Sequence, residues 1–590
     1  MNRLLVLALL AATLSLAGLT GCGSGSSSSP TQPQPPSISS FTANPTSITT
    51  GSSATLTGVF ANGTGVITPG NLTATSGVDV TVTPTATTTY TLTVTPTSGT
   101  AVAVAAATTI TVASATVSSV TVDLTSSGAA VTNKLLGMNM AVWFDLVTNQ
   151  TGVVNAFQSA GTTQVRWPGG SDSDLYHWAT NTECDSGYAD PNDTFSNFVS
   201  DIALPANLDV ALTANYGSNT ACTAGGEPSE AAAWVSAALT DGVIPSHVTV
   251  GNEEYGSWEY DLHSNPHDPT TYAAAVVGSS GYYQSIKAAS PNTLVGIDVD
   301  ADNTPSGWDN TVMANAIGFY DFVEYHYYPE TPGQESDTFI VQQAAQELTA
   351  NINTIRSELN EWGTPNTPIY VGEIGGAYSN PGKQSWSITQ GLYAGQVLGE
   401  MMNAGVSRLT WWIGFGNCNG AKGNDSTSLY GWQDFGAYNV FSDGSEEDPT
   451  CPGAGPLGTM SPTAVAFELF SQMDVNGKTV LTATVLGDTT DVRAYAATNP
   501  NGTAVLLFND NENLAQPVTI MLSSKASSPG VTVTTYDKAI YDLSGSPTGT
   551  PPDPIGTSTW APPNTTSMGA QTLPLSLTLT PWSMNEVIIQ

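Results

Sequence analysis

The sequence predicts a multidomain chain: a (β/α)8 barrel with a small β-sandwich before it and a second β-sandwich after it. Three observations predict this. Eight short apolar runs alternate with helical stretches from Leu135 onward. Before them lies a nearly uncharged block rich in Thr, Val, Ser and Ala, and after about Thr463 the alternating strand pattern returns. A chain of 590 residues is also too long for a single core.

Taken in order, residues 1–22 read as a targeting signal. Met1-Asn-Arg is a short basic start, Leu4 to Leu19 is apolar, and Leu19-Thr-Gly-Cys22 follows. This resembles a bacterial lipoprotein lipobox, which implies cleavage before Cys22, lipid on its thiol, export, and a membrane anchor at the cell envelope or surface. Residues 23–36, Gly, Ser, Pro, Gln and Thr, cannot bury a core and read as a flexible linker.

Residues 37–113 form the first sandwich. Ser53-Ala-Thr-Leu-Thr-Gly-Val-Phe60 and Thr89-Tyr-Thr-Leu-Thr-Val-Thr95 alternate, with turns expected at Asn62-Gly63, Pro69-Gly70 and Ser98-Gly99. The block resembles bacterial immunoglobulin-like modules and reads as a spacer or weak binding module. Residues 114–134 are a linker whose strand, Val117 to Leu124, is expected to join the C-terminal sandwich.

The barrel is expected over residues 135–462. Its strands are Leu135–Ala141, Thr163–Trp167, Asp209–Thr213, Val248–Gly251, Leu294–Val299, Phe322–His326, Ile369–Gly372 and Arg408–Ile413. Helices are expected over Pro228–Leu239, Thr271–Ala289, Phe339–Trp362 and Ser385–Ala404. A doubly wound open sheet is the alternative, but no G-x-G-x-x-G opens a helix after the first strand. Residues 463–590 form the second sandwich, with strands such as Thr503–Phe508 and Leu575–Thr580.

Forty-nine acidic residues face 12 basic ones, a net charge of −37. That excludes nucleic acid and anionic surfaces as electrostatic partners. It also suits a protein that works in acid. Beyond Cys22 four cysteines remain, and an exported chain with an even count is expected to form disulfides. Of three possible pairings, Cys184–Cys222 and Cys418–Cys451 each fall within one loop region. Free buried thiols are the alternative.

The chemistry gathers at barrel strand ends, where such folds place active residues. Arg166 ends the second strand in Arg166-Trp-Pro-Gly-Gly170 and is one of four arginines beyond the signal. Its fork suits a carboxylate. The fourth strand ends at Asn252-Glu253-Glu254, the sixth in Glu324-Tyr-His-Tyr-Tyr328, the seventh at Glu373, and the eighth in Trp411-Trp412. Carboxylates, an amide, an imidazole and flat aromatic faces describe a sugar site. Core packing between barrel and helices is the alternative for the two tryptophans.

The ordered set Arg-x-Pro-Gly-Gly, Asn-Glu, His-x-Tyr and Gly-Glu resembles glycoside hydrolases of clan A, most of all family 51, the α-L-arabinofuranosidases, and more distantly families 39, 79 and 30. The resemblance runs from about Val117 to the C-terminus. It implies a retaining hydrolase with a carbohydrate substrate and no cofactor or metal. Glu253 would be the acid/base, Glu373 the nucleophile, and Asn252 the partner of the sugar 2-hydroxyl. His326 and Tyr328 would orient the nucleophile and ring, with Arg166 beneath Glu373 keeping it ionised. Neighbouring negative charge would raise the pKa of Glu253.

Strand alternation places Asn252 and Glu254 on one face and Glu253 on the other, so the residues alone leave Glu253 and Glu254 open. A bulge at the strand end would restore Glu253. Ile369, Val371 and Glu373 are expected to share a face. Family 51 has a glutamate near the end of the first strand, and Gly137-Met-Asn-Met-Ala-Val-Trp-Phe144 has none. Asn139 or Trp143 is expected to line the pocket instead, with Trp411 and Trp412. A β-xylosidase, a β-glucuronidase, an endo-glycanase and a non-catalytic glycan-binding lipoprotein are the alternatives. Asp298-Val-Asp-Ala-Asp-Asn303 lacks the glycine and glutamate of a calcium loop. His263 and His267 are not expected to pair on a helix, because Pro266 intervenes.

Overall fold

The structure is a computed structural model that describes residues 34–49, 53–98, 101–113, 116–185, 187–302, 304, 307–379, 381–416, 439–443, 456–524, 528–541 and 561–590. The chain divides into two units, Met1–Ala113 and Ser114–Gln590.

The first unit is a sandwich of a three-stranded and a five-stranded sheet. Alternation decides what faces inward: Tyr90, Leu92 and Val94 on Thr88–Pro96 join Phe41, Leu56, Ile67 and Ile110 in one core. Asn62 at φ 61° makes the turn between Ala54–Ala61 and Gly63–Thr68, as its short polar side chain permits.

In the second unit eight parallel strands close into a barrel. They are Gly137–Asn139 (β1), Gln164–Trp167 (β2), Asp209–Ala214 (β3), His247–Val250 (β4), Leu294–Val299 (β5), Phe322–Tyr327 (β6), Ile369–Ile374 (β7) and Arg408–Trp411 (β8). All eight fall within or beside the expected runs. The single helix expected over Thr271–Ala289 is two, Pro269–Val277 and Tyr282–Ala289. Between them Gly278-Ser-Ser-Gly281 turns so tightly that a Cβ on Gly281 would lie 2.6 Å from the Ala275 carbonyl oxygen.

Helix Ile388–Ala404 is buried on nearly every face, between the barrel and the last sheet. Its glycines, four apart, make that possible. A Cβ on Gly391 would meet Pro462, one on Gly395 would meet Phe508, and one on Gly399 would meet Tyr495. The last sheet has nine strands and curls on itself, with Ser118–Asp123 between Val480–Leu486 and Gln516–Leu522. On Gly502–Asn509, Val505 and Leu507 face the sandwich interior, while Ala504, Leu506 and Phe508 join the barrel's core. Each large side chain so buried contributes about 1.5–3 kcal/mol, so the sandwich is continuous with the barrel. Among the described residues no helix is long and apolar enough to cross a membrane.

Candidate active site

Inside the barrel the lower layer mixes apolar and polar side chains: Ala211, Phe322 and Tyr370 are in contact, and Arg408 Nε donates to buried Gln164 Oε1 at 2.9 Å. Two departures from regular strand geometry shape the mouth above.

The first departure lies on β7. Tyr370 and Gly372 face the interior, while Ile369 and Val371 pack outward. Val371 pairs with Tyr325 but Glu373 pairs with His326, so Gly372 is an extra residue in the ladder. Glu373 therefore does not share the face of Ile369 and Val371, as simple alternation predicted; the bulge turns it inward. Only glycine fits at 372, because a Cβ there would collide with the Glu324 carboxylate.

The second departure ends β4. Gly251 at φ 79° and Glu253 at φ 48° are left-handed, so alternation stops at Val250. The turn sends Glu253 to the mouth and tucks Glu254 beneath it, fully enclosed. A tight turn thus separates the two glutamates that alternation left open.

Arg166 on β2 organises what lies between. It is almost fully buried, with Nε 2.7 Å from Glu324 Oε1 and Nη1 2.9 Å from Glu373 Oε1. Nη1 also donates to Asn139 Oδ1 at 3.1 Å, and Nη2 to Asn252 Oδ1 at 2.9 Å. Burial alone would favour losing the proton, but Glu324 and Glu373 outweigh it and raise the guanidinium's pKa. Tyr328 Oη donates to the other oxygen of Glu373 at 2.7 Å.

His326 stands between the carboxylates. Burial opposes its charge, yet Glu373, Glu253 and Glu324 overcome it and raise its pKa to about 10. It is therefore an imidazolium, donating from Nδ1 to Glu253 Oε1 at 2.8 Å and from Nε2 to Glu324 Oε1 at 3.1 Å. Nδ1 is 3.9 Å from Glu373. The ring therefore holds Glu253 and Glu324 more than it orients Glu373. One oxygen of Glu253, one of Glu373 and a ring nitrogen of His326 lie within 4.8 Å of one another.

The Glu253 pKa is lowered, against the expected rise. Burial pushes it up, but the His326 hydrogen bond and charge, and a 2.8 Å hydrogen bond from Trp258 Nε1, outweigh burial. The Glu253–His326 pair holds its proton on the ring.

Other expected residues fall elsewhere. Asn139 is fully buried and spends its amide on the carbonyls of Gly372 and Thr410, so it supports Arg166 and does not line the pocket. Trp411 packs against Tyr393 and Phe467 in the outer core, because β8 points Thr410 inward and Trp411 outward. Trp412 stays at the mouth, 6.1 Å from the Trp143 ring and over Gly170. Asn252 Nδ2 donates to Glu259 Oε1 at 3.0 Å. Cys184 and Cys222 form a disulfide joining the loops after β2 and β3. Cys22, Cys418 and Cys451 lie outside the described residues.

Four contributors were not singled out from sequence: Glu324, Asp174, Trp258 and Glu259. Glu324 carried a signal, since it lies two residues before His326 on the same strand face. Asp174 accepts from the backbone N–H of Asn252, Tyr216 and Gly217, and no local pattern marks it. Trp258 and Glu259 lie on the loop after β4, beyond the strand-end motifs that marked the other residues.

No family model matches the chain, and no curated protein does. Solved structures do. An α-L-arabinofuranosidase from Thermotoga maritima, in complex with arabinose, superposes with TM-score 0.61 at 15% identity, over 80% of this chain and 100% of that one. The family 51 arabinofuranosidase of Xanthomonas axonopodis pv. citri gives 0.59 at 16%, over 80% and 100%. A family 44 xyloglucanase from Paenibacillus polymyxa gives 0.54 at 11%, over the same shares. At these identities the likeness establishes a shared architecture of barrel and sandwich.

Proposed function

We propose that the chain is a retaining glycoside hydrolase of clan A that removes α-L-arabinofuranosyl groups by double displacement. The observation that carries this reading is the meeting of Glu253 and Glu373 at one barrel mouth, with oxygens within 4.8 Å of each other. Retaining enzymes hold their carboxyl groups about 5–5.5 Å apart, whereas inverting enzymes leave room for a water.

In the first step a Glu373 oxygen bonds the anomeric carbon and the glycosidic C–O bond breaks. The leaving oxygen takes a proton from Glu253. That proton comes from the Glu253–His326 pair, which carries it on Nδ1, 2.8 Å from Oε1. In the second step Glu253 takes a proton from water, whose oxygen bonds the anomeric carbon as Glu373 departs. Arg166 and Tyr328 each hold one oxygen of Glu373, so the nucleophile is oriented before substrate arrives. Asn252 is the partner of the sugar 2-hydroxyl. Catalysis in this reading needs no metal or other cofactor.

The arabinofuranosyl preference is supported by the likeness to arabinofuranosidases. A second reading, an endo-acting glycanase, is favoured by the loss of a pocket-facing polar group on β1 and by exposed Trp258 and Tyr378 after β4 and β7. Aryl glycosides with different sugar heads, assayed beside arabinan and xyloglucan, test both. Release from the aryl α-L-arabinofuranoside supports the first reading, and polymer cleavage without it supports the second. Glycan binding with no turnover on any substrate would overturn hydrolysis. The lipobox reading adds a lipid anchor at Cys22. Labelled palmitate should enter the wild-type chain and not Cys22→Ala; equal labelling would refute the anchor.

A further inference from the structure

Directly beneath Glu253, a second group of donors converges that hydrolysis does not use. Glu254 is fully enclosed, and its carboxyl meets the side chain of Asp174, itself an acid. His267 lies on the same loop, thirteen residues further along, and its Nδ1 is enclosed without a hydrogen-bond partner among the described residues. Asp261 lies between them in sequence. Its Oδ1 accepts from the backbone N–H and Nδ1 of His263, and its Oδ2 accepts from the His267 N–H at 2.9 Å. One oxygen of Glu254, one of Asp261 and a ring nitrogen of His267 lie within 4.8 Å of one another.

The electrostatics of this group are unbalanced. Asp174 also borders Glu254 and has given its oxygens to three backbone N–H groups. Asp261 faces His263 Nδ1 at 2.7 Å, but among the described residues no lysine or arginine forms an ion pair with Glu254 or Asp261. Buried carboxylates without a counter-charge are costly, and proteins resolve that cost with a proton or a cation. A proton shared by Glu254 and Asp174 would settle those two groups, but it would leave the enclosed Nδ1 of His267 without a hydrogen-bond partner among the described residues.

We propose that Glu254, Asp261 and His267 form a binding site for one divalent transition-metal cation of the zinc or manganese type. One imidazole and two carboxylates are the donors such ions take, and no thiolate is present to select a softer metal. The ion would tie the residue next to Glu253 to the far end of the loop after β4. That loop also carries Trp258, which donates to Glu253, and Glu259, which accepts from Asn252. The site is therefore a clamp on the loop that presents the acid/base residue, and it takes no part in bond breaking.

The test uses the full chain, stripped with a chelator, dialysed, and titrated with zinc chloride or manganese chloride. Bound metal is counted by elemental analysis, and melting is followed in parallel. The expected result is one ion per chain with a raised melting temperature. His267→Gln should weaken binding by about tenfold or more, and the rise should vanish with it. Should His267→Gln fail to fold, X-ray absorption on the zinc-loaded wild type decides: a nitrogen and oxygen shell with one imidazole supports the site. No stoichiometric ion, equal binding by His267→Gln, or a shell without imidazole would overturn it.

Discussion

His326 Nδ1 donates to Glu253 Oε1 across 2.8 Å, so the proposed acid/base carboxylate is paired with an imidazolium whose pKa is raised to about 10. In the proposed mechanism the working proton belongs to the pair. In the wild type it is lost only when the imidazolium gives it up. Without the ring, a carboxyl alone must keep it, and carboxyls lose their protons far lower on the pH scale. His326→Asn should therefore move the basic limb of the kcat/KM profile toward acid by about two units or more. An unmoved basic limb would mean that the pair does not hold the catalytic proton.

Arg166 joins Glu324 and Glu373 through separate nitrogens of one planar fork, and its neighbours are buried. Lysine keeps the charge but cannot reach both carboxylates and both amides. Arg166→Lys should lower kcat by about a hundredfold or more while the chain still folds. Steady-state kinetics beside circular dichroism would check this, and a loss confined to KM would argue against the orienting role.

The Cys184–Cys222 bond spans 38 residues and ties together the loops that follow β2 and β3. Constraint of the unfolded chain alone is worth about 4 kcal/mol for a loop of this length. Cys184→Ala with Cys222→Ala should lower stability by roughly that amount in denaturant titrations, whereas a change under about 1 kcal/mol would leave the bond without structural weight.

Burial raises several carboxyls: Glu183 to about 8, Asp193 to about 9, Glu330 to about 8 and Glu586 to about 7. In the unfolded chain such groups titrate near 4. Between these values the folded chain holds more protons than the unfolded one, so this stability is complete below about pH 4 and is lost as pH rises toward 9. Calorimetry should find the melting temperature at pH 5 above that at pH 8 by roughly 5 °C or more. A melting temperature that is flat or rising over that range would contradict it. The acidic surface, at −37 net, pushes the same way.

Much of this architecture was legible because a parallel barrel writes its strands as short apolar runs separated by amphipathic helices. The polar residues that interrupt those runs, Arg166, Asn252, His326 and Glu373, stood out for the same reason. What periodicity did not carry was local. The bulge at Gly372 is one residue in a ladder and reverses the side on which Glu373 lies, while the left-handed turn at Gly251 and Glu253 ends alternation without a proline to mark it. Trp411 and Trp412 are adjacent, so one had to face the outer core, and only the inward Thr410 says which. Asn139 sat at a strand end like a ligand contact, yet its amide is consumed by Arg166 and two carbonyls. Asp174 reaches the site from the short helical turn after β2, and no spacing rule links it to Asn252.

In the proposed mechanism Glu373 attacks the sugar while Glu253 serves the leaving group. Glu373→Ala, assayed on an activated aryl glycoside with and without sodium azide, tests this most directly. The expected result is loss of turnover without azide, and with azide its recovery as a glycosyl azide of inverted configuration. Unchanged turnover without azide would contradict the assignment of Glu373 as the nucleophile.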